Sequence, residues 1–234
     1  DRVVNISIII AVGATVEIPV SCVERGRWAF SAQRQFEAGH YACATLRSDI
    51  KKSVHAAIRN GEGYASDQCR VWAQVDRLAS MAGAASPTAS YNEVVEDDRR
   101  PVRIKPEAFP RPEQACGLAI FHGNSLVSVD VFAHPKLADE VWAGMIEGAA
   151  FNVPEAAGAP PDPAAVRTAL ADFFRAVRDH VADPEPTPGR GSYLRSESRS
   201  HTAGILFDDQ VPVHFSGFVR PAEDPDDVLI VEET

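Results

Sequence analysis

A chain of 234 residues with 45% apolar side chains can bury a core unaided, as one large domain or two small ones. Its formal charge of −10 argues against a dedicated nucleic-acid binder, because neutralising phosphates needs a basic surface. No apolar run approaches the roughly 20 residues that cross a bilayer, and no basic start leads into an apolar block with a cleavage site, so a cytoplasmic protein is expected.

The chain opens on Asp1 and runs directly into an apolar stretch, so a segment upstream of it is expected. Val4, Ile6, Ile8, Ile10 and Val12 alternate with polar neighbours, a turn follows at Gly13 and Ala14, and Val16, Ile18, Val20, Cys22 and Glu24 continue on the return. Period two predicts a hairpin over residues 3–24, with Pro19 marking an edge. Leu46, Ile50, Val54, Ala57 and Ile58 then share a helical stripe, with Arg47, Lys51, Lys52, His55 and Arg59 largely outside it. NGEGY at 60–64 ends that helix. Ser66 and Asp67 cap a second one, whose inner face would carry Cys69, Trp72, Val75 and Leu78 or Ala79.

Residues 96–113 hold four prolines and many charges and read as a surface loop. GLAIF and LVSVDVF form a second hairpin around residues 122–125, and a helix opens at His134 and Pro135. A Pro-rich connection at 152–163 leads to a helix capped by Asp162. The last hairpin runs from Thr202 to Val219, and an acidic tail follows over 220–234. GLAIFHGNSLVSVDVF and GILFDDQVPVHFSGF share one plan, a weak internal repeat. Hairpins separated by helices predict a single α+β domain over residues 1–219, its antiparallel or mixed sheet covered by helices.

Chemistry concentrates in VSCVERGRW at 20–28. Alternation carries Cys22 and Glu24 to the core or its rim, where a carboxylate needs a partner that Arg25 or Arg27 can supply. One reading is structural: Cys22 a small buried hydrophobe, Glu24 ion-paired, Trp28 a plug. The other makes Glu24 a general acid or base and Cys22 a second polar group or nucleophile. His214 alternates with Val213 and Phe215 and so faces the other side of its strand; folding alone can bring it to the cluster. Asp67 and Gln68 cap free amides, which also suit an anion. His40 and Cys43 have metal-ligand spacing without further ligands nearby, and Cys22, Cys43, Cys69 and Cys116 form no Cys-x-x-Cys pair, so no metal is assigned and reduced thiols are expected. No cofactor follows from these residues.

VSCVERGRW, with DQCRVW and SPT downstream, resembles a prokaryotic domain family named for its association with ADP-ribosylglycohydrolases and rhodanese-phosphatase-like proteins. That family's pattern has a strand ending in Ser-Cys-Val-Glu-x-Gly-Arg-Trp, matched by Ser21, Cys22, Val23, Glu24, Gly26, Arg27 and Trp28. Asp67, Gln68 and Trp72, then Ser86, Pro87 and Thr88, the 117–132 hairpin and a closing hairpin with His214 also match. The pattern includes a segment upstream of Asp1. The resemblance implies a role with ADP-ribose, NAD or related nucleotide derivatives and brings no catalytic residues with it.

Three functions therefore compete. In the first, Glu24, Cys22 and His214 act on a nucleotide-derived small molecule held by Arg25, Arg27, Trp28, Asp67 and Gln68. In the second, the domain is noncatalytic and its hairpin edges meet a protein partner or a second copy, giving a homo-oligomer. In the third, His40, His214 and carboxylates hold a hydrolytic metal.

Overall fold

The computed structural model describes residues 1–26, 39–100, 105–149, 151 and 160–220. Arg27, Trp28 and the tail beyond Arg220 lie outside the described residues. Strands Arg2–Val4 (β1) and Val20–Cys22 (β2) form a small antiparallel pair, with Arg2 opposite Cys22. Helices follow at Ala44–Arg59 (α1), Gln68–Ala82 (α2) and Tyr91–Glu96 (α3), with one 3-10 turn at Pro106–Ala108. Strands Gly117–His122 (β3) and Ser125–Phe132 (β4) precede helices Pro135–Ala149 (α4) and Pro163–Asp179 (α5). Glu185–Pro186 (β5), Ser192–Glu197 (β6), His201–Asp208 (β7) and Val211–Val219 (β8) complete an antiparallel six-stranded sheet in the order β3-β4-β8-β7-β6-β5.

The α+β reading holds, and the sheet is antiparallel throughout. Helix boundaries follow local chemistry. Asp67 accepts hydrogen bonds from the amides of Cys69 and Arg70 at 3.0 and 3.2 Å, and Gly83 ends α2 in the left-handed conformation at φ +60°. Asp162 caps α5 in the same way, with Pro163 in the first turn.

The sheet lies between two helical layers. Phe215 and Ala203 pack against Phe173 and Val177 of α5 on one face. On the other, Tyr193 joins a core built from α1, α2 and α3 through Leu46, Ile50, Val54, Val75, Leu78 and Tyr91. Strand alternation therefore sends Asp130, His214, Ser216 and Phe218 to the α1 side.

Several expectations are corrected. Residues 3–24 pair only at their ends; between them Ile6 enters the core, Ser7 meets His214 of β8, and Ile9 bridges Arg190 in the β5–β6 connection. Val4, Ile10, Val12, Ile18 and Val20 are exposed, whereas Asn5, Ser21 and Val23 are buried, because Asn5 satisfies the Ser21 hydroxyl and the Tyr64 carbonyl. On α1, Lys51, Lys52 and His55 are buried because the sheet covers that flank as well as the apolar stripe. Cys69 is exposed, and α2 buries Val71 and Gln74 in addition to Val75 and Leu78. The sequence reading missed α3, the 3-10 turn, β5 and β6. Strand β6 hides in a polar stretch, and α3 is announced by Ser90 and Glu93, three apart, with the Ser90 hydroxyl accepting from the Glu93 amide.

Among the described residues no helix is long and apolar enough to cross a membrane. On the α1 face the Tyr193 ring lies close over Gly204, where an added Cβ would collide with the buried ring and hydroxyl. Gly204→Ala should therefore lower unfolding free energy by about 2 kcal/mol in urea titration; an unchanged midpoint would mean that Tyr193 can move aside.

Candidate functional site

A carboxylate in the middle of an apolar strand fixes the geometry of the α1 face. Asp130 of β4 is 2% exposed, and Arg47 of α1 grips it with both arms of its guanidinium at 2.9 and 2.5 Å. The paired fork satisfies both oxygens of a group whose burial alone would be prohibitive. The Arg47 guanidinium also lies 5.1 Å from the ring centres of Tyr41 and Phe218.

His214 joins the same carboxylate from β8, its Nε2 lying 3.3 Å from Asp130 Oδ1. Phe132, directly opposite His214 in the strand register, stacks on the imidazole at 4.3 Å with an interplanar angle of 7°. Ser7, from the stretch after β1, places its hydroxyl 2.5 Å from His214 Nδ1. Lys51, one helical turn beyond Arg47, reaches the Tyr193 hydroxyl at 3.1 Å, and His55 Nε2 meets that hydroxyl from the other side at 3.0 Å.

These groups surround a cavity of about 830 Å³ between α1, the sheet and the 1–10 stretch. Its polar walls include Ser7, Glu24, Arg47, Lys51 and His214; Tyr41, Tyr91, Tyr193 and Phe218 supply aromatic surface. The exposed Val4, Ile10 and Ile18 form its rim. The size lies within the range of small-molecule sites.

Protonation follows from the packing. Burial alone would raise the Asp130 carboxyl, but adjacent Arg47 and the His214 hydrogen bond outweigh it and hold the group well below the usual carboxylate range. Burial, reinforced by Arg47, pushes the Lys51 ammonium down to about 7. His214 is likewise lowered, chiefly by burial and then by Arg47 and Lys51, against the pull of Asp130. At neutral pH the imidazole is therefore neutral. An ionised Asp130 only accepts hydrogen bonds, so Nε2 carries the proton and Nδ1 presents its lone pair to Ser7.

The residues expected from sequence divide. Glu24 and His214 both line this cavity. Glu24 is 4% exposed and lies 2.7 Å from the backbone nitrogen of Asp1. Cys22 is outside the lining; its thiol turns to the Glu24 carbonyl, while Gln68 clamps the Cys22 backbone, accepting from its amide at 3.0 Å and donating to its carbonyl at 2.6 Å. Asp67 serves as a helix cap. Arg25 pairs with Asp76 at the surface at 2.9 Å. Arg27 and Trp28 fall outside the described residues. His40 meets Glu147 at 3.0 Å, and among the described residues no three His, Cys, Asp or Glu side chains come together as a metal site.

Sequence reasoning missed Ser7, Arg47, Lys51 and Asp130. Two signals were available: a lone carboxylate inside LVSVDVF, and two cations four apart on one helix flank.

Two outcomes follow. Asp130→Asn strands the Arg47 charge and should cost about 3–5 kcal/mol in urea unfolding, whereas the double variant Arg47→Met/Asp130→Leu should recover most of that loss. Lys51 has a folded value of about 7 against 10.5 for a free lysine, so folding disfavours its charged form and wild-type stability should rise with pH between those limits. Lys51→Met should accordingly be more stable than wild type at pH 6.5, with a ceiling of about 5 kcal/mol, and the advantage should shrink towards pH 10; a pH-independent difference would contradict it.

No curated protein and no solved structure matches the chain. A family profile covers residues 1–218, and by that match the chain belongs to the ARG and Rhodanese-Phosphatase-superfamily-associated Protein domain family.

Proposed function

We propose that the α1-face cavity binds and processes a phosphate-bearing nucleotide derivative of the ADP-ribose and NAD class. The observation that carries this reading is Lys51. Among the described residues it forms no ion pair, it is buried beside a second cation, and it lines a cavity with four aromatic rings. An anion entering there supplies the missing counter-charge, and the tyrosines and Phe218 offer surface for a base. Glu24 and His214, on the same walls, are the acid–base candidates. The family name supports the ligand class through its reference to ARG proteins, read as ADP-ribosylglycohydrolases.

Because an anion raises the Lys51 pKa, binding at pH 8 should take up a proton. Calorimetry with ADP-ribose, NAD and ADP in buffers of different ionisation enthalpy reads that uptake directly. At 100 times its dissociation constant a ligand should add about 2.7 kcal/mol to stability, seen as a thermal shift of a few degrees. The reading fails if no nucleotide shifts the melting temperature, or if Lys51→Met responds equally.

A second reading, assembly with a partner or another copy, is favoured by the exposed Val4, Ile10, Val12, Ile18 and Val20. It predicts a dimer or larger species by light scattering at 100 μM; a monomer there would count against self-assembly.

A further inference from the structure

We propose that Ser7, His214 and Asp130 form a hydrolytic relay in which Ser7 is the nucleophile towards a carboxylic ester bound in the α1-face cavity. This rests on the cavity being a ligand site, and not on the ligand being a nucleotide. Three separate parts of the chain supply the relay: the stretch after β1, β8 and β4. Ser7 Oγ lies 2.5 Å from His214 Nδ1, and His214 Nε2 lies 3.3 Å from Asp130 Oδ1. Both are within or near the reach that proton transfer and ring orientation require.

The supporting contacts act on each member. Arg47 anchors Asp130 with two hydrogen bonds, Phe132 holds the imidazole plane by stacking, and Ser7 is half-buried on the cavity wall rather than sealed in the core. With Asp130 ionised, the imidazole proton sits on Nε2, and the nitrogen facing Ser7 is the basic one. The serine faces Nδ1 and the carboxylate faces Nε2, the reverse of the order in serine proteases; either ring nitrogen can carry the lone pair, so the logic is preserved.

The step balances within the site. As Ser7 Oγ bonds to the ester carbonyl carbon, its proton passes to His214 Nδ1. The tetrahedral oxyanion collapses, the carbon–oxygen bond to the alcohol breaks, and His214 returns the proton to the leaving alcohol. Water, deprotonated by the same nitrogen, then attacks the acyl-serine; the carboxylic acid leaves and Ser7 regains its proton. Lys51, a cation on the cavity wall, is suited to meet the oxyanion charge.

The test is covalent labelling of the whole chain with a fluorophosphonate probe, read by intact mass and peptide mapping. The expected result is one adduct, on Ser7, absent in Ser7→Ala and formed at least 100-fold more slowly in His214→Gln. Hydrolysis of p-nitrophenyl butyrate should fall in parallel. Ser7→Ala removes one hydrogen bond at a half-buried position, so it should fold with a melting temperature lowered by a few degrees at most, and the comparison holds even if His214→Gln is unstable. No adduct, an adduct on another side chain, or esterase activity that survives in Ser7→Ala would overturn the relay. A chain that binds nucleotides yet takes no adduct loses the nucleophile and keeps the binding reading; one labelled at Ser7 but indifferent to nucleotides keeps the relay and loses the nucleotide.

Discussion

The ion pair between Arg47 and Asp130 is the contact on which the α1 face depends. A carboxylate in the middle of a covered strand is tolerable only with a partner that satisfies both oxygens, and the guanidinium fork does so. That contact fixes the register of α1 over the sheet. Lys51 consequently falls one turn further along, over Tyr193 and Phe218, and His55 one turn beyond that against the same tyrosine. The pair also fixes ionisation: a carboxylate that keeps its charge determines which nitrogen of His214 is protonated, and so what Ser7 meets.

The interior of the cavity is consequently rich in cations for a chain of net negative charge. Arg47 is neutralised, and Lys51 is held near its titration point by burial and by its neighbour. The acidic surplus lies elsewhere, six of the ten excess negative charges in residues 221–234, which carry no Lys or Arg. Net charge was silent about this pocket, since a total cannot report where charges are desolvated.

The legible parts of the fold were those with strong local codes. Caps at Asp67 and Asp162, the glycine after α2, and the two hairpins with alternating apolar strands all folded as their sequences dictate. The 3–24 stretch misled because its alternation is real but local. Asn5 found buried partners while Val4 and Ile10 did not, so tertiary contacts decided the faces. The described residues of the VSCVERGRW segment divide their duties: a clamped backbone at Cys22, a surface pair at Arg25, and one cavity-lining carboxylate at Glu24. His214 was singled out by its place in the closing hairpin and by the family resemblance, yet its contacts Ser7 and Asp130 lie 207 and 84 residues away, distances over which no periodicity carries.

The two similar hairpins meet through their second strands, β4 against β8, with Asp130 directly opposite Ser216. When Gly117 is matched with Gly204 and Phe132 with Phe218, these two residues occupy equivalent places. The frame is thus close to symmetric where the charges are not. Cross-strand neighbours on one face lie about 5 Å apart, so a second carboxylate at the equivalent place would share one guanidinium with the first, and one of the two would have to take up a proton. A two-fold frame of this kind can hold a single ionised acid, and the hydroxyl at Ser216 is what allows one half to specialise in charge while the other supplies the imidazole.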